Sequence, residues 1–127
     1  YVSLSKNGGE TWSEPRAGEI VTPVCISIVK YPKQIKNQSY IIFWSGPKGP
    51  GRHNLELRVS FDDAKSFQSM GMLREKFVAY SNMEVLNDGS LGIIWEDGDK
   101  EEVQGGTVPE SIRFGRIESK VFDTIDW

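Results

Sequence analysis

Two patterns recur along this chain at a spacing of roughly 50 residues, and that period limits the fold more than any other feature. Ser5-x-Asn7-x-Gly9-x-Thr11-Trp12 in "SKNGGETW" returns, with conservative changes, as Ser60-x-Asp62-x-Ala64-x-Ser66-Phe67 in "SFDDAKSF". Offset from it, "YIIFWSG" followed by "LELRVSF" resembles "LGIIWED" followed by "SIRFGRI", which sets Trp44 against Trp95. The segments around these repeats read as strands. "YVSLS", "VCISIVKY", "YIIFWSG", "LELRVSF" and "SIRFGRIE" are β-branched, aromatic or alternating. "MEVLNDGSLGIIWE" reads as a hairpin around Asn87-Asp88-Gly89. Helix signals are weak, because no long window keeps an apolar face and Gly and Pro are spread throughout. Short strands in units of about 50 residues, four to a unit, predict an all-β chain built from propeller blades.

The repeated turn has its own chemistry. A Ser or Asp side chain accepts backbone N–H groups and closes an Asx-type turn. Gly9 takes a left-handed backbone at no steric cost. Trp12 is expected to pack as an aromatic plug on its blade, burying area worth about 2–3 kcal/mol. The turn is read as a fastener between strands, without catalytic chemistry.

Composition narrows the partners. With 38% hydrophobic and 26% charged residues, the 127-residue chain is of the soluble globular type. The net charge of −3 and scattered basic residues argue against nucleic acid or an anionic membrane. No apolar run approaches a membrane span, and no signal-peptide core opens the chain, so any leader is expected outside it. Cys25 is the only cysteine and His53 the only histidine, too few for a common zinc site. No metal or organic cofactor is expected. Cys25, in the apolar run "TPVCISIVKY", reads as a buried small hydrophobe.

Five segments carry a family likeness. S-x-N-x-G-x-T-W at Ser5–Trp12 resembles the Asp-box, or bacterial neuraminidase repeat, of sialidases. "GRHNLELRVSFDDAKSF" is similar to the sialidase pattern R-x-N-L-x-L-R-x-S-x-D-x-G-x-x-W, and "AYSNMEVLNDGSLGIIWEDG" to Y-S-x-L-x-x-L-x-D-G-x-x-G-x-L-Y-E. "TPVCISIVKY" resembles a P-x-C-x-x-S-I strand, and "ESIRFGRIE" the closing strand of the same domain. Order and spacing agree across the chain, nearest to cellular and bacterial exo-α-sialidases. The resemblance implies a six-bladed β-propeller, which needs on the order of 300 residues. The chain would hold about two four-stranded blades plus part of a third: 1–24 the end of one blade, 25–78 a full blade, 79–127 the final blade. It would be the C-terminal part of the domain, dependent on N-terminal blades and unstable without them.

The resemblance also assigns roles. A sialidase binds a carboxylated sugar and attacks the carbon that bears the carboxylate. Arg52, in the Gly/Pro-rich stretch "GPKGPGRHN", matches the third arginine of a clamp on that carboxylate, where the planar guanidinium suits the anion. Tyr80 matches the nucleophile. A phenol approaches the anionic centre neutral, and sialidases are a known departure from the two-carboxylate scheme of glycosidases. Its ordinary pKa near ~10 calls for a partner base. Glu96 matches a carboxylate that holds another clamp arginine, although Trp95 stands where the family has Tyr. The acid/base Asp, the partner Glu and two clamp arginines have no match in the chain. The substrate implied is a sialylated glycoconjugate, and the family is commonly secreted, periplasmic or lysosomal.

Read without the resemblance, Arg52 is a solvated loop arginine, Tyr80 a half-buried strand tyrosine and Glu96 a strand-end acid. Arg58 is read as a surface residue, His53 as a rim residue, and Asp97–Glu102 as a solvated acidic loop. Two alternatives stay open: a non-catalytic propeller that binds glycan or protein, and a propeller hydrolase for another anionic sugar.

Overall fold

Alternating apolar residues and polar turns produce a single antiparallel sheet in the computed structural model, which describes residues 1–18, 20–99 and 109–125. Its strands are β1 Ser27–Tyr31, β2 Ile41–Pro47, β3 His53–Ser60, β4 Gln68–Val85, β5 Leu91–Gly98 and β6 Ser111–Ile117, each hydrogen-bonded to the next. A short helix, α1 Ser119–Thr124, follows. The helix was not expected from the sequence. Six residues leave no room for apolar periodicity, and Phe122 is the one helical residue buried against the sheet. "YVSLS" also departs from expectation. It makes one isolated bridge, Val2 to Arg16, and joins no strand of the sheet.

The sheet curls into a half-barrel, and β4 is what bends it. At 18 residues it is long enough to serve two neighbours. Gln68 to Phe77 pair with β3, and Phe77 to Val85 pair with β5. The second half of β4 returns toward β1 and β2, where small hydroxyl residues let the backbones approach. The Ser27 hydroxyl donates to Asn82 Oδ1 at 3.1 Å and accepts from Met83 N at 2.9 Å. The core lies inside this curl. Phe43 is fully buried, edge-on to Tyr31 (centroids 5.6 Å apart) and stacked with Phe122 (5.2 Å). Ile41, Leu57, Val59, Leu91 and Ile93 fill in around them.

The β4–β5 hairpin follows the turn chemistry of its residues. Leu86 N donates to Ser90 O and Gly89 N to Leu86 O, both at 2.8 Å, and Ser90 N donates to Asp88 Oδ1. Gly89 has φ of 88°, a left-handed conformation that glycine adopts freely. Its carbonyl accepts the buried Tyr31 hydroxyl at 2.7 Å, so the turn is pinned to the core.

The two repeated turns share one hydrogen-bond frame. Ser5 Oγ accepts Gly9 N at 2.8 Å and Asn7 Oδ1 accepts Thr11 N at 3.0 Å. In the second copy Ser60 Oγ accepts Ala64 N, and Asp62 Oδ1 accepts Ser66 N, both at 3.0 Å. Ala64 holds φ of 56° where the first copy has glycine. The aromatic plug is a correction. Trp12 is 64% exposed, and its indole N–H donates to Gly9 O within its own turn.

Candidate functional site

One irregularity in β4 builds the site. Val78 pairs with Asp97 and Ser81 with Trp95. Two residues of β4, Ala79 and Tyr80, therefore stand opposite the single residue Glu96. This is a β-bulge, which re-aims side chains and often lies beside functional sites. It breaks the inside–outside alternation. Phe77, Val78 and Ala79 are buried in succession, whereas Tyr80 turns outward and is 44% exposed. Tyr80 N, without a strand partner, points at the Glu96 carboxylate, 3.4 Å from Oε2.

The loop between β2 and β3 brings Arg52 to the same place. Lys48 N donates to Asn54 O at 2.7 Å and Gly49 N to His53 O at 3.0 Å, closing the loop. Thr22 Oγ1 donates to Gly51 O and Asn54 Nδ2 to Gly49 O. Arg52 O then accepts Val78 N at 2.9 Å, which ties the arginine backbone to β4 two residues before Tyr80. The guanidinium carbon lies 5.6 Å from the Tyr80 ring centroid, within cation–π range. Tyr80 and Glu96 line an open depression of about 400 Å³, bounded also by Cys25, Ile26, Ile94 and Ile112. Tyr80 and Glu96 thus share one opening, and Arg52 reaches Tyr80 from the β2–β3 loop. His53 begins β3, half-buried and edge-on to Phe77.

Three sequence readings are corrected here. Cys25 is exposed and borders the depression, because β1 begins two residues later and its apolar run turns inward only from Ser27. Arg58 is largely covered. It lies over the Trp44 ring at 4.6 Å, and its Nε donates to Glu56 Oε2 at 2.6 Å. Trp44 is its cross-strand partner, so strand pairing rather than alternation placed it. Asp97 is 1% exposed and lies in β5, not in a solvated loop. It accepts Arg74 Nε at 2.7 Å and Trp95 Nε1 at 2.9 Å and forms an ion pair with Arg113, Nε to Oδ2 at 2.7 Å. The rest of that acidic run is divided: Asp99 is exposed and paired with Arg74 and Lys76, and positions 100–102 lie outside the described residues.

Burial of Asp97 by itself would raise its pKa. Hydrogen bonds from Arg74 and Trp95 and the charges of Arg74 and Arg113 outweigh burial and hold the carboxyl below its ordinary range. Glu56 is depressed in the same way, with burial opposed by bonds from Ser69 and Arg58 and by the charges of Arg58 and Lys48. A carboxyl depressed on folding stabilises above its unfolded pKa, near ~4, and that contribution disappears as pH falls toward the folded value. The thermal midpoint is therefore expected to be flat from neutral pH to about pH 5 and to drop below about pH 4. Asp97→Asn should lower the neutral-pH midpoint and make the acid limb shallower; an unchanged limb would remove Asp97 from this account.

Among the described residues no helix is long and apolar enough to cross a membrane, and no cluster of three His, Cys, Asp or Glu side chains could hold a metal ion.

A single six-stranded antiparallel sheet curled into a half-barrel is the architecture of a partial β-propeller. No protein-family model and no curated protein sequence matches the chain. Among solved structures it is similar to the intramolecular trans-sialidase from Ruminococcus gnavus, in a structure with oseltamivir carboxylate. The TM-score is 0.69 at 22% identity, over 95% of this chain and 28% of that one. The fold is sialidase-like, and the chain spans little more than a quarter of the length of this neighbour.

Proposed function

We propose that this sheet is part of a retaining exo-α-sialidase that removes terminal sialic acid from glycoconjugates. The observation that carries the reading is that Tyr80 lines one depression with Glu96 and has the Arg52 guanidinium over its ring. The neighbouring fold is that of a protein acting on sialic acid. In this reading Tyr80 Oη attacks the anomeric carbon, and the bond to the leaving oxygen breaks as an acid protonates it. Water then releases the sugar, and the phenol regains its proton. Arg52 grips the substrate carboxylate, and Glu96 orients a second arginine. The acid/base Asp, the glutamate that takes the phenol proton and the other clamp arginines come from blades beyond this sheet.

The blade division follows the same logic: residues 25–78 form one blade and 79–127 the last, with 1–24 closing an earlier one. The change of β4's partner from β3 to β5 at Phe77 supports a boundary there. Residues 1–24, 25–78 and 79–127 then belong to a six-bladed ring.

The test uses the protein with its whole propeller and a fluorogenic sialoside. Arg52→Ala is expected to raise KM and lower kcat/KM by about 100-fold, as loss of a charged bond to a desolvated anion does. Turnover of a uronide but not of a sialoside would redirect the proposal to another anionic sugar. Binding of sialosides without any turnover would make the propeller a lectin.

A further inference from the structure

The aim of Tyr80 depends on the residue that follows it. Tyr80 is the last residue of the bulge and is joined directly to Ser81, where regular pairing resumes, so the depth and rotation of Ser81 limit where the Tyr80 ring can lie. Ser81 is buried at the floor of the depression and is held from three sides. Its N–H donates to Cys25 O at 3.2 Å, just before β1. Its hydroxyl donates to Ser45 O on β2 at 3.0 Å. It pairs with Trp95 on β5. With the Ser81 proton committed to that carbonyl, the Ser45 hydroxyl, 3.0 Å away, is the one that donates to Ser81 Oγ. The two hydroxyls thus form a closed, reciprocal pair in which Ser45 is fully buried and Ser81 nearly so.

Such a pair adds little to stability. Its bonds replace bonds to water, and two apolar residues of the same shape would serve nearly as well. What hydroxyls add is direction. They fix the rotation and depth of one residue of β4 relative to β2, at the point where the bulge leaves the ladder least constrained.

We infer that Ser45 and Ser81 form a positioning pair that aims the Tyr80 phenol at the substrate. This rests on the reading of Tyr80 as nucleophile. Small displacements of a reacting group cost large factors in rate, so Ser81→Ala is expected to lower kcat about tenfold, with KM changed by less than about twofold.

The experiment is a double-mutant cycle on the whole propeller, with thermal midpoints measured in parallel. Ser81→Ala is made in the native background and in Tyr80→Phe. A positioning residue acts only through the phenol, so Ser81→Ala should leave the residual rate of Tyr80→Phe within about twofold. Ser81→Thr, which keeps the hydroxyl, should recover most of kcat. If Ser81→Ala folds poorly, the pair Ser45→Ala with Ser81→Ala leaves neither hydroxyl without its partner and carries the same expected loss. An equal loss in both backgrounds, or an unchanged kcat while Tyr80→Phe is inactive, overturns the positioning role alone. Full activity of Tyr80→Phe overturns both this inference and the reading beneath it.

Discussion

Tyr80→Phe is expected to lower kcat for a sialoside by about 100-fold or more in the protein with its whole propeller, with little change in thermal midpoint. The substitution removes one oxygen from a side chain that is 44% exposed, so no buried group is orphaned and no core cavity opens. The ring stays, and with it the surface under the Arg52 guanidinium. Substrate binding should therefore persist while the covalent step fails. Trapping of a sugar on position 80 with a slow, fluorinated substrate, detected by peptide mass, would identify the oxygen directly. Wild-type turnover by Tyr80→Phe would remove Tyr80 as the nucleophile.

Phe43→Ala is expected to cost about 3–5 kcal/mol, measured as a lowered urea midpoint at constant slope. Phe43 is fully buried between Tyr31 and Phe122, and through them touches both the Gly89 turn and helix α1. Truncation leaves a cavity that the sheet cannot close, because β2 is fixed on both sides by β1 and β3. A loss below about 1 kcal/mol would mean that the curl repacks around the gap.

These two residues differ in how legible they were. Phe43 sits in a continuous β-branched and aromatic run bounded by polar residues, and its burial follows from that local pattern. The same holds for the Asn87-Asp88-Gly89 hairpin and for the two repeated turns, whose hydrogen bonds close within a few residues of one another. Arg52, Tyr80 and Glu96 were singled out by resemblance, and periodicity had no means of joining them. Helix α1 escaped notice because a single turn held by one buried phenylalanine leaves no periodic trace.

The misplaced residues share a cause. Arg58 and Asp97 look like surface charges in the sequence, yet each is covered by a partner on another strand: Trp44 across the β2–β3 pairing, and Arg74 and Arg113 from β4 and β6 around β5. Cys25 looks like core and lies open. Whether a charge is buried depends on whether a counter-charge arrives to satisfy it, and that arrival is a property of register.

The amino-acid order by itself marked the runs that become β1 to β3, β5 and β6 and the turns between β4 and β5 and at the two repeats, because each arises from contacts between near neighbours along the chain. Only the tertiary structure decided that β4 carries an extra residue opposite Glu96, that Tyr80 consequently faces outward beside Arg52, and that Ser81 is clasped by Ser45. A bulge is a mismatch between two strands, so neither strand's sequence contains it alone.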